Sequence, residues 1–338
     1  MHWSSLRTLV TGGASFIGSH LVDALVNHGA MVRVVDNLSS GTLDNIRDHI
    51  TTGRIEFIHA DLTDAGVADR AVAGMNIVFH LAADHGGRGY IDSHQVACAT
   101  NLVLDGTVFG ACRRAGVEKV VYASSGCVYP NHLQSDPGEI VYLAEDMVGP
   151  PYDADHMYGW AKLMGEMTLR AAHVETGMKV ACCRYFTVYG DRGHENHAVM
   201  AMIARAFVRQ DPYIVWGTGE QVRSWTHVSD IVSGTLLAAE KIDDGTAVNL
   251  GTMERTRVID VAREVLRYTG HSAEIVFRPD MPSGPLNRVA DHALATKLLG
   301  WEPKITFIDG LHRTIDWYFA SRDRDLVSTG LASKLTSR

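Results

Sequence analysis

Cysteine is scarce in this sequence. Five occur in 338 residues: Cys98, Cys112, Cys127, Cys182 and Cys183. An odd, scattered set in a long chain excludes a disulfide framework. No CxxC pair is present, so there is no thiolate zinc motif. Charge is also thin, at 21% of residues, and it leans acidic: 31 Lys and Arg against 39 Asp and Glu, a net charge of −8. That balance speaks against nucleic acid as the partner. No run of 18 or more apolar residues suggests a membrane span. Met1–Arg7 lead directly into an apolar strand, without the basic and apolar regions of a secretory leader, so a cytoplasmic protein is expected. Histidine is plentiful, with 17 residues, yet no HExxH occurs. His194 and His197 stand three apart, but spacing alone makes no ligand set, and no metal is expected.

What is present is an ordinary globular composition, 46% hydrophobic. The pattern predicts strands at 6–10, 30–35, 54–60, 77–82, 119–123 and 179–185, separated by segments of helical length. Helices are expected at 17–27, 98–115 and 157–176. Continuous apolar strands such as Val120-Val121-Tyr122-Ala123 suit a parallel sheet covered on both faces. After Gly190 the rhythm loosens into helices at 197–209, 228–240, 256–269, 290–299 and 307–319, with short strands near 213–216 and 247–250. The expected architecture is α/β: a Rossmann-type, doubly wound parallel sheet over residues 1–190. A smaller mixed α/β substrate-binding lobe covers mainly 191–320, with some crossing of the chain between the two. A frayed tail takes 321–338.

Thr11-Gly12-Gly13-Ala14-Ser15-Phe16-Ile17-Gly18 joins the first strand to the first helix. Glycines there tighten the turn and let the helix terminus approach a pyrophosphate. Gly12, Ser15, Phe16, Ile17 and Gly18 are therefore candidate cofactor contacts. Ser15 stands where a middle glycine is usual, and its hydroxyl could donate to the pyrophosphate or hinder close approach. Asp36, followed by Asn37, lies 18 residues beyond Gly18 at the end of the second strand. A carboxylate there accepts ribose hydroxyls and repels a 2′-phosphate, which points to NAD rather than NADP. Asp61 and Leu62, after the third strand, are placed to meet the adenine.

Tyr158 and Lys162 lie four apart on one helix face. A phenol is a poor base at neutral pH, and a neighbouring ammonium favours the phenolate. Ser125 follows the fifth strand, where a hydroxyl can orient a sugar hydroxyl or its ketone. Cys127 is either a small buried hydrophobe or an acid–base group beside that centre. Arg223 and Arg288 are candidate diphosphate ligands, because guanidinium geometry suits phosphate oxygens. Trp216 belongs to a glycine-rich loop expected near the base or ribose. Arg184, ending the sixth strand, could pair with a carboxylate or orient the sugar.

With these motifs the chain resembles the extended short-chain dehydrogenase/reductase family, specifically its NAD-dependent nucleotide-sugar epimerases and dehydratases. The resemblance runs through TGGASFIGSHL at 11–21, HLAA at 80–83, YASS at 122–125, YGWAK at 158–162, RYFTVYG at 184–190, RSWTHVSD at 223–230 and LGWEPKITFIDGL at 299–311. It implies that Ser125, Tyr158 and Lys162 carry reversible hydride transfer to NAD. It also implies that Leu81, Ala82, Ala83 and Asn101 lie near the cofactor. The Asp-Glu pair of the 4,6-dehydratases is replaced by Gly126 and Cys127. The stretch SSGCVYP at 124–130 is most similar to the GDP-mannose 3,5-epimerase subgroup, with features of the GDP-fucose synthases. In those enzymes a cysteine and a second acid–base group work beside a 4-keto sugar. The resemblance puts His197 at the second position, with His194 and His85 as substitutes, and Gly86 and Gly87 in the substrate loop. It implies a GDP-linked hexose as substrate, with the base resting on resemblance alone, and a homodimer built on the helices before Ala115 and after Met157. A nucleotide-sugar 4-epimerase is the alternative, and a non-catalytic sensor of NAD or nucleotide sugar the alternative of another class.

Overall fold

The computed structural model describes residues 1–335. Positions 336–338 of the expected tail lie outside the described residues. Seven parallel strands form the main sheet. Across it they run Asp244–Leu250, Lys179–Tyr185, Lys119–Ser125, Ile77–His80, Arg7–Thr11, Met31–Asp36 and Ile55–His59. Period-two alternation sends successive side chains into two cores. Leu9 packs into one with Val78, Val120 and Cys182, and Val10 into the other with Phe79, Val121 and Cys183. All five cysteines are free thiols, and all are buried.

Gly116 ends the helix Asn101–Ala115 in the left-handed conformation, as its place after the apolar run predicts. The helix expected over 98–115 is interrupted, however. Gln95–Ala99 is a separate turn, and the Asn101 side chain takes up the carbonyl of Cys98 at 2.9 Å.

The chain crosses back to the main sheet after residue 190. Helix Val228–Lys241 packs in the first core, and strand Asp244–Leu250 pairs in parallel with Lys179–Tyr185. This seventh strand extends the edge of the main sheet, so the segment 228–250 structurally belongs with residues 1–190. Asp230 accepts the backbone amides of Lys304 and Ile305 at 3.1 and 3.0 Å, tying the late Trp-Glu-Pro turn to that helix.

The remaining lobe has its own core. Helices Ala198–Phe207, Val258–Thr269 and Phe307–Ser321 pack with the parallel strands Tyr213–Trp216 and Ile275–Arg278. A small sheet places Val222–Arg223 between Thr256–Arg257 and Asn287–Arg288, with Arg223 in register with Arg288. The tail corrects the expectation of fraying. Arg324–Lys334 is a helix whose N-cap Asp323 accepts two backbone amides, and Val327 and Leu331, one helical turn apart, are buried in this core. Burying two such side chains contributes roughly 1.5–3 kcal/mol each, enough to offset fraying.

Candidate active site

The strand order reverses between Arg7–Thr11 and Ile77–His80, and ligands collect at the carboxyl ends of strands at such a point. A cleft of about 450 Å³ opens there. Gly12, Ser15, Phe16, Ile17, Gly18, Asp36, Asn37, Asp61, Leu62, Leu81, Ala82 and Ala83 line one end. Gly86, Gly87, Ser125, Cys127, Tyr158, Lys162 and His197 line the middle, and Trp216, Arg223 and Arg288 the far end.

The first end fits a dinucleotide. A Cβ on Gly18 would lie 2.1 Å from the Gly12 carbonyl oxygen, so only glycine lets the helix start this close to the turn. Asp36 accepts the amides of Ala14 and Leu38 at 3.0 and 2.8 Å, which anchors its carboxylate at the cleft. Asn37 donates to Asp61 at 3.1 Å, joining the ends of the second and third strands. Ser15 donates its hydroxyl to the Gly12 carbonyl at 2.5 Å, so the serine braces the turn from within.

The middle is assembled by close backbone contact. A Cβ on Gly159 would lie 2.2 Å from the Cys127 carbonyl oxygen, and the Asp155 amide donates to that same oxygen at 2.8 Å. The start of helix His156–Thr176 is thereby pressed against the short turn Gly126–Val128, and Tyr158 shares a buried cluster with Cys127 and Cys98. Burial drives the Tyr158 phenol well above its ordinary range, with Cys127 adding to the rise and a hydrogen bond to Ser125 opposing it. Lys162 Nζ lies 5.9 Å from the centre of the Tyr158 ring, and burial lowers its pKa.

His85 bridges the histidines to the tyrosine. Its ring lies 4.8 Å from that of Tyr158 and 5.4 Å from that of His197, on which it stacks. Burial, then His194, lowers His197 to about 4, so its imidazole is neutral at pH 7. Gly87 sits against the Asn196 carbonyl, where a Cβ would intrude to 1.7 Å, locking the two histidine-bearing loops together.

The far end concentrates guanidinium groups. Arg288 donates to Gln134 at 2.6 Å, to Cys127 Sγ at 3.1 Å and to Asp155 at 2.9 Å. Arg223 donates to the carbonyls of Val222 and Ser283, both at 2.9 Å. Burial and the nearby Arg288 and Arg88 lower Arg223 to about 9. Arg88, which the sequence did not single out, lines the cleft and shares Asp155 with Arg288, donating to it at 2.7 Å. Arg205 and Gln221 were also missed. Both are buried cleft residues, and among the described residues Arg205 Nε and Gln221 Oε1 lack hydrogen-bond partners. Their signal, an arginine in an apolar run and a glutamine in a polar turn, is too common to read locally.

Two expected contacts lie elsewhere. Arg184 is buried behind the cleft in a bidentate pair with Glu166, 2.9 Å from each nitrogen used, and also donates to the Tyr129 hydroxyl. Its role as a sugar ligand is corrected, because its charge is consumed by that carboxylate. Asn101 also stands outside the lining. It accepts the Asp84 amide at 2.6 Å and donates to the Asp84 carbonyl at 2.9 Å, so it shapes the loop after the fourth strand.

Residues 8–251 match the NAD dependent epimerase/dehydratase family. Over 325 residues the chain is 30% identical to GDP-mannose 3,5-epimerase 1 of Oryza sativa subsp. japonica, covering 94% of this chain and 83% of the relative. It is 29% identical to UDP-glucuronic acid decarboxylase 1 of Xenopus tropicalis over 313 residues, 92% of this chain and 72% of the relative. The crystal structure of UDP-glucose 4-epimerase from Thermotoga maritima, with UDP-glucose, superimposes with a TM-score of 0.83 at 30% identity, covering 94% of this chain and 99% of the other. With its glycine turn, its Asp36 anchor and its Tyr158–Lys162 helix in one cleft, the chain belongs to the NAD-dependent epimerase/dehydratase family, whose cofactor is NAD.

Proposed function

We propose that this chain is an NAD-dependent epimerase of a nucleotide sugar, inverting C3, C5 or both in a GDP-hexose-like substrate through a transient 4-keto sugar, in the cytoplasm. The observation that carries this reading is Cys127. It shares a buried cluster with Tyr158, lines the same cleft as Ser125, and takes the position of an acidic residue in the dehydratases.

Tyr158 removes the proton of the C4 hydroxyl, and Ser125 orients that oxygen. NAD held at the Gly12–Gly18 turn and Asp36 would supply a reversible hydride acceptor for C4, so the cycle would leave no net redox change. The C4 ketone makes the hydrogens on C3 and C5 acidic through an enolate. His197 is neutral at pH 7 and so able to accept a proton, with burial making it a weaker base than a free imidazole. The Cys127 thiol delivers the replacement proton from the other side, with Arg288 donating to its sulfur. His85, stacked on His197 and tilted against Tyr158, is the alternative second group. Arg223, which donates to backbone carbonyls, supplies local positive charge for the diphosphate within an acidic chain, beside Arg288 and Arg88, whose charge Asp155 shares. Arg205, Gln221 and Trp216 hold the base.

Incubation with GDP- and UDP-hexoses in heavy water is expected to place deuterium on C3 or C5. Cys127→Ala is expected to lower that incorporation by ~10²-fold or more, the lower end of what one positioned acid–base group supplies, while C4 oxidation persists. Equal incorporation in Cys127→Ala removes the thiol from the chemistry. Inversion at C4 without carbon-bound deuterium instead establishes the 4-epimerase reading, which the Thermotoga maritima relative favours.

We also propose a homodimer. Leu102, Val103, Trp160 and Met164 expose apolar surface on helices Asn101–Ala115 and His156–Thr176, whereas Leu169 is buried in the chain's own core. Native mass spectrometry of the purified chain is expected to show a dimer with NAD retained. A monomer at micromolar concentration overturns the proposed assembly.

A further inference from the structure

Asp105 is a buried carboxylate one turn after Asn101 on helix Asn101–Ala115. It lies at the centre of a chain of hydrogen bonds that begins at the dinucleotide turn. Thr11 Oγ1 accepts the amides of Leu81 and Ala82 at 3.1 and 3.0 Å. Its single hydrogen is then directed to His80 Nδ1, 2.8 Å away. That makes Nδ1 an acceptor and leaves the ring proton on Nε2. Nε2 in turn donates to Asp105 Oδ1 at 3.0 Å, and the Tyr122 hydroxyl donates to Oδ2 at 2.5 Å. Both carboxylate oxygens therefore receive a donor, the arrangement suited to a buried negative charge.

The face of the Tyr122 ring carries Lys162 Nζ, 4.6 Å from its centre. Lys162 is itself buried, and among the described residues it has no direct ion pair with a carboxylate. Tyr158 of its own helix presents its ring 5.9 Å away, Asp105 acts on it from helix Asn101–Ala115, and Glu166 follows one turn along its own helix. Glu166 is committed to Arg184 and Ser124. His80 is committed to Thr11 and Asp105.

We infer that Asp105 is a positioning residue of the reacting centre: its carboxylate, held by His80 and Tyr122, is the counter-charge that keeps Lys162 an ammonium beside Tyr158. Burial opposes the charged lysine, and Asp105 is the carboxylate whose field works against that penalty. The inference rests on Tyr158 and Lys162 as the reacting pair. It adds that the pair depends on a group that never touches substrate. It also gives the Thr11–His80 link a purpose, since the same bonds that hold Ala82 at the cofactor turn aim the charge at the lysine.

The test is the titration of Lys162 Nζ by ¹⁵N NMR in lysine-labelled, NAD-bound protein, with the resonance assigned by its loss in Lys162→Arg. Asp105→Asn is expected to lower the midpoint by ~1 pH unit or more, a tenfold change in the protonation equilibrium. The alkaline limb of hydride transfer is expected to fall with it. Tyr122→Phe removes one donor and leaves the charge, so its midpoint is expected to stay near wild type. Equal midpoints in wild type and Asp105→Asn overturn the inference. If Asp105→Asn does not fold, wild type decides: an ammonium at pH 8 supports the inference and a neutral amine overturns it. The lysine titration needs no turnover, so its failure is distinct from a failure of the proposed reaction.

Discussion

Tyr158→Phe is expected to slow turnover ~10²–10⁴-fold, the contribution of a positioned acid–base group, while substrate binding persists. Phenylalanine keeps the ring that packs on His85 and within the cluster with Cys127, and it removes only the hydroxyl bonded to Ser125. Shape is preserved and the proton acceptor is lost. The free phenol lies well above the ordinary tyrosine range because it is buried. Lys162 and bound cofactor therefore have more to overcome than a solvent-exposed pair would. The measurement is the single-turnover appearance of reduced nicotinamide after mixing with a nucleotide sugar. A rate within ~10-fold of wild type would assign the proton transfer to another group.

The second large effect is on stability. Glu166→Gln is expected to destabilise the fold by ~3–5 kcal/mol, because it leaves the buried Arg184 guanidinium without its counter-charge. Both partners are almost wholly inaccessible, and the Ser124 hydroxyl donates to the same carboxylate at 2.5 Å. Replacing both members together, Glu166→Leu with Arg184→Met, is expected to recover most of the loss, since two desolvation penalties vanish with the pair. Chemical denaturation of the two variants checks this. A single substitution costing under ~1 kcal/mol would show the pair to be as weak as a surface bridge.

Acid sensitivity follows from the same groups. Burial raises Glu166, but Arg184 outweighs it and the net pKa is lowered. Asp155 behaves alike, with Arg288 and Arg88 overcoming burial and bringing it to about 2. A depressed folded-state pKa contributes stability above the unfolded value and loses it as pH falls through the folded one. For Asp155 that window runs from ~4, the unfolded carboxylate value, down to about 2. Acid therefore loosens the Asp155 anchor, which holds Arg288 on Cys127 and Arg88 at the cleft wall.

Much of the cofactor end is legible in the sequence because its chemistry is local. Gly12, Gly18 and Asp36 lie within one strand–turn–helix–strand unit, and Tyr158 and Lys162 within one helical turn. Arg184 shows where local reading stops. Its residue type suits a sugar or a carboxylate equally, and only packing reveals that Glu166, from the neighbouring helix, has claimed it. The tail fails for a related reason. Val327 and Leu331 are too few to mark an amphipathic helix, and the apolar surface that selects them includes helix Ala198–Phe207, more than a hundred positions earlier in the chain.

By itself the sequence determined the alternation of strands and helices, the dinucleotide turn and the helical pairing of Tyr158 with Lys162, since periodicity, turn chemistry and helical spacing act over a few residues. Only the tertiary structure decided which groups are spent and which face the cleft. It returned the strand Asp244–Leu250 to the main sheet and set Arg288 on Cys127. It stacked His85 on His197 beside Tyr158, and it bonded Asp105 to Tyr122, whose ring carries Lys162. These are contacts between distant segments, and a buried charge or donor acquires its role from the partner that packing brings to it.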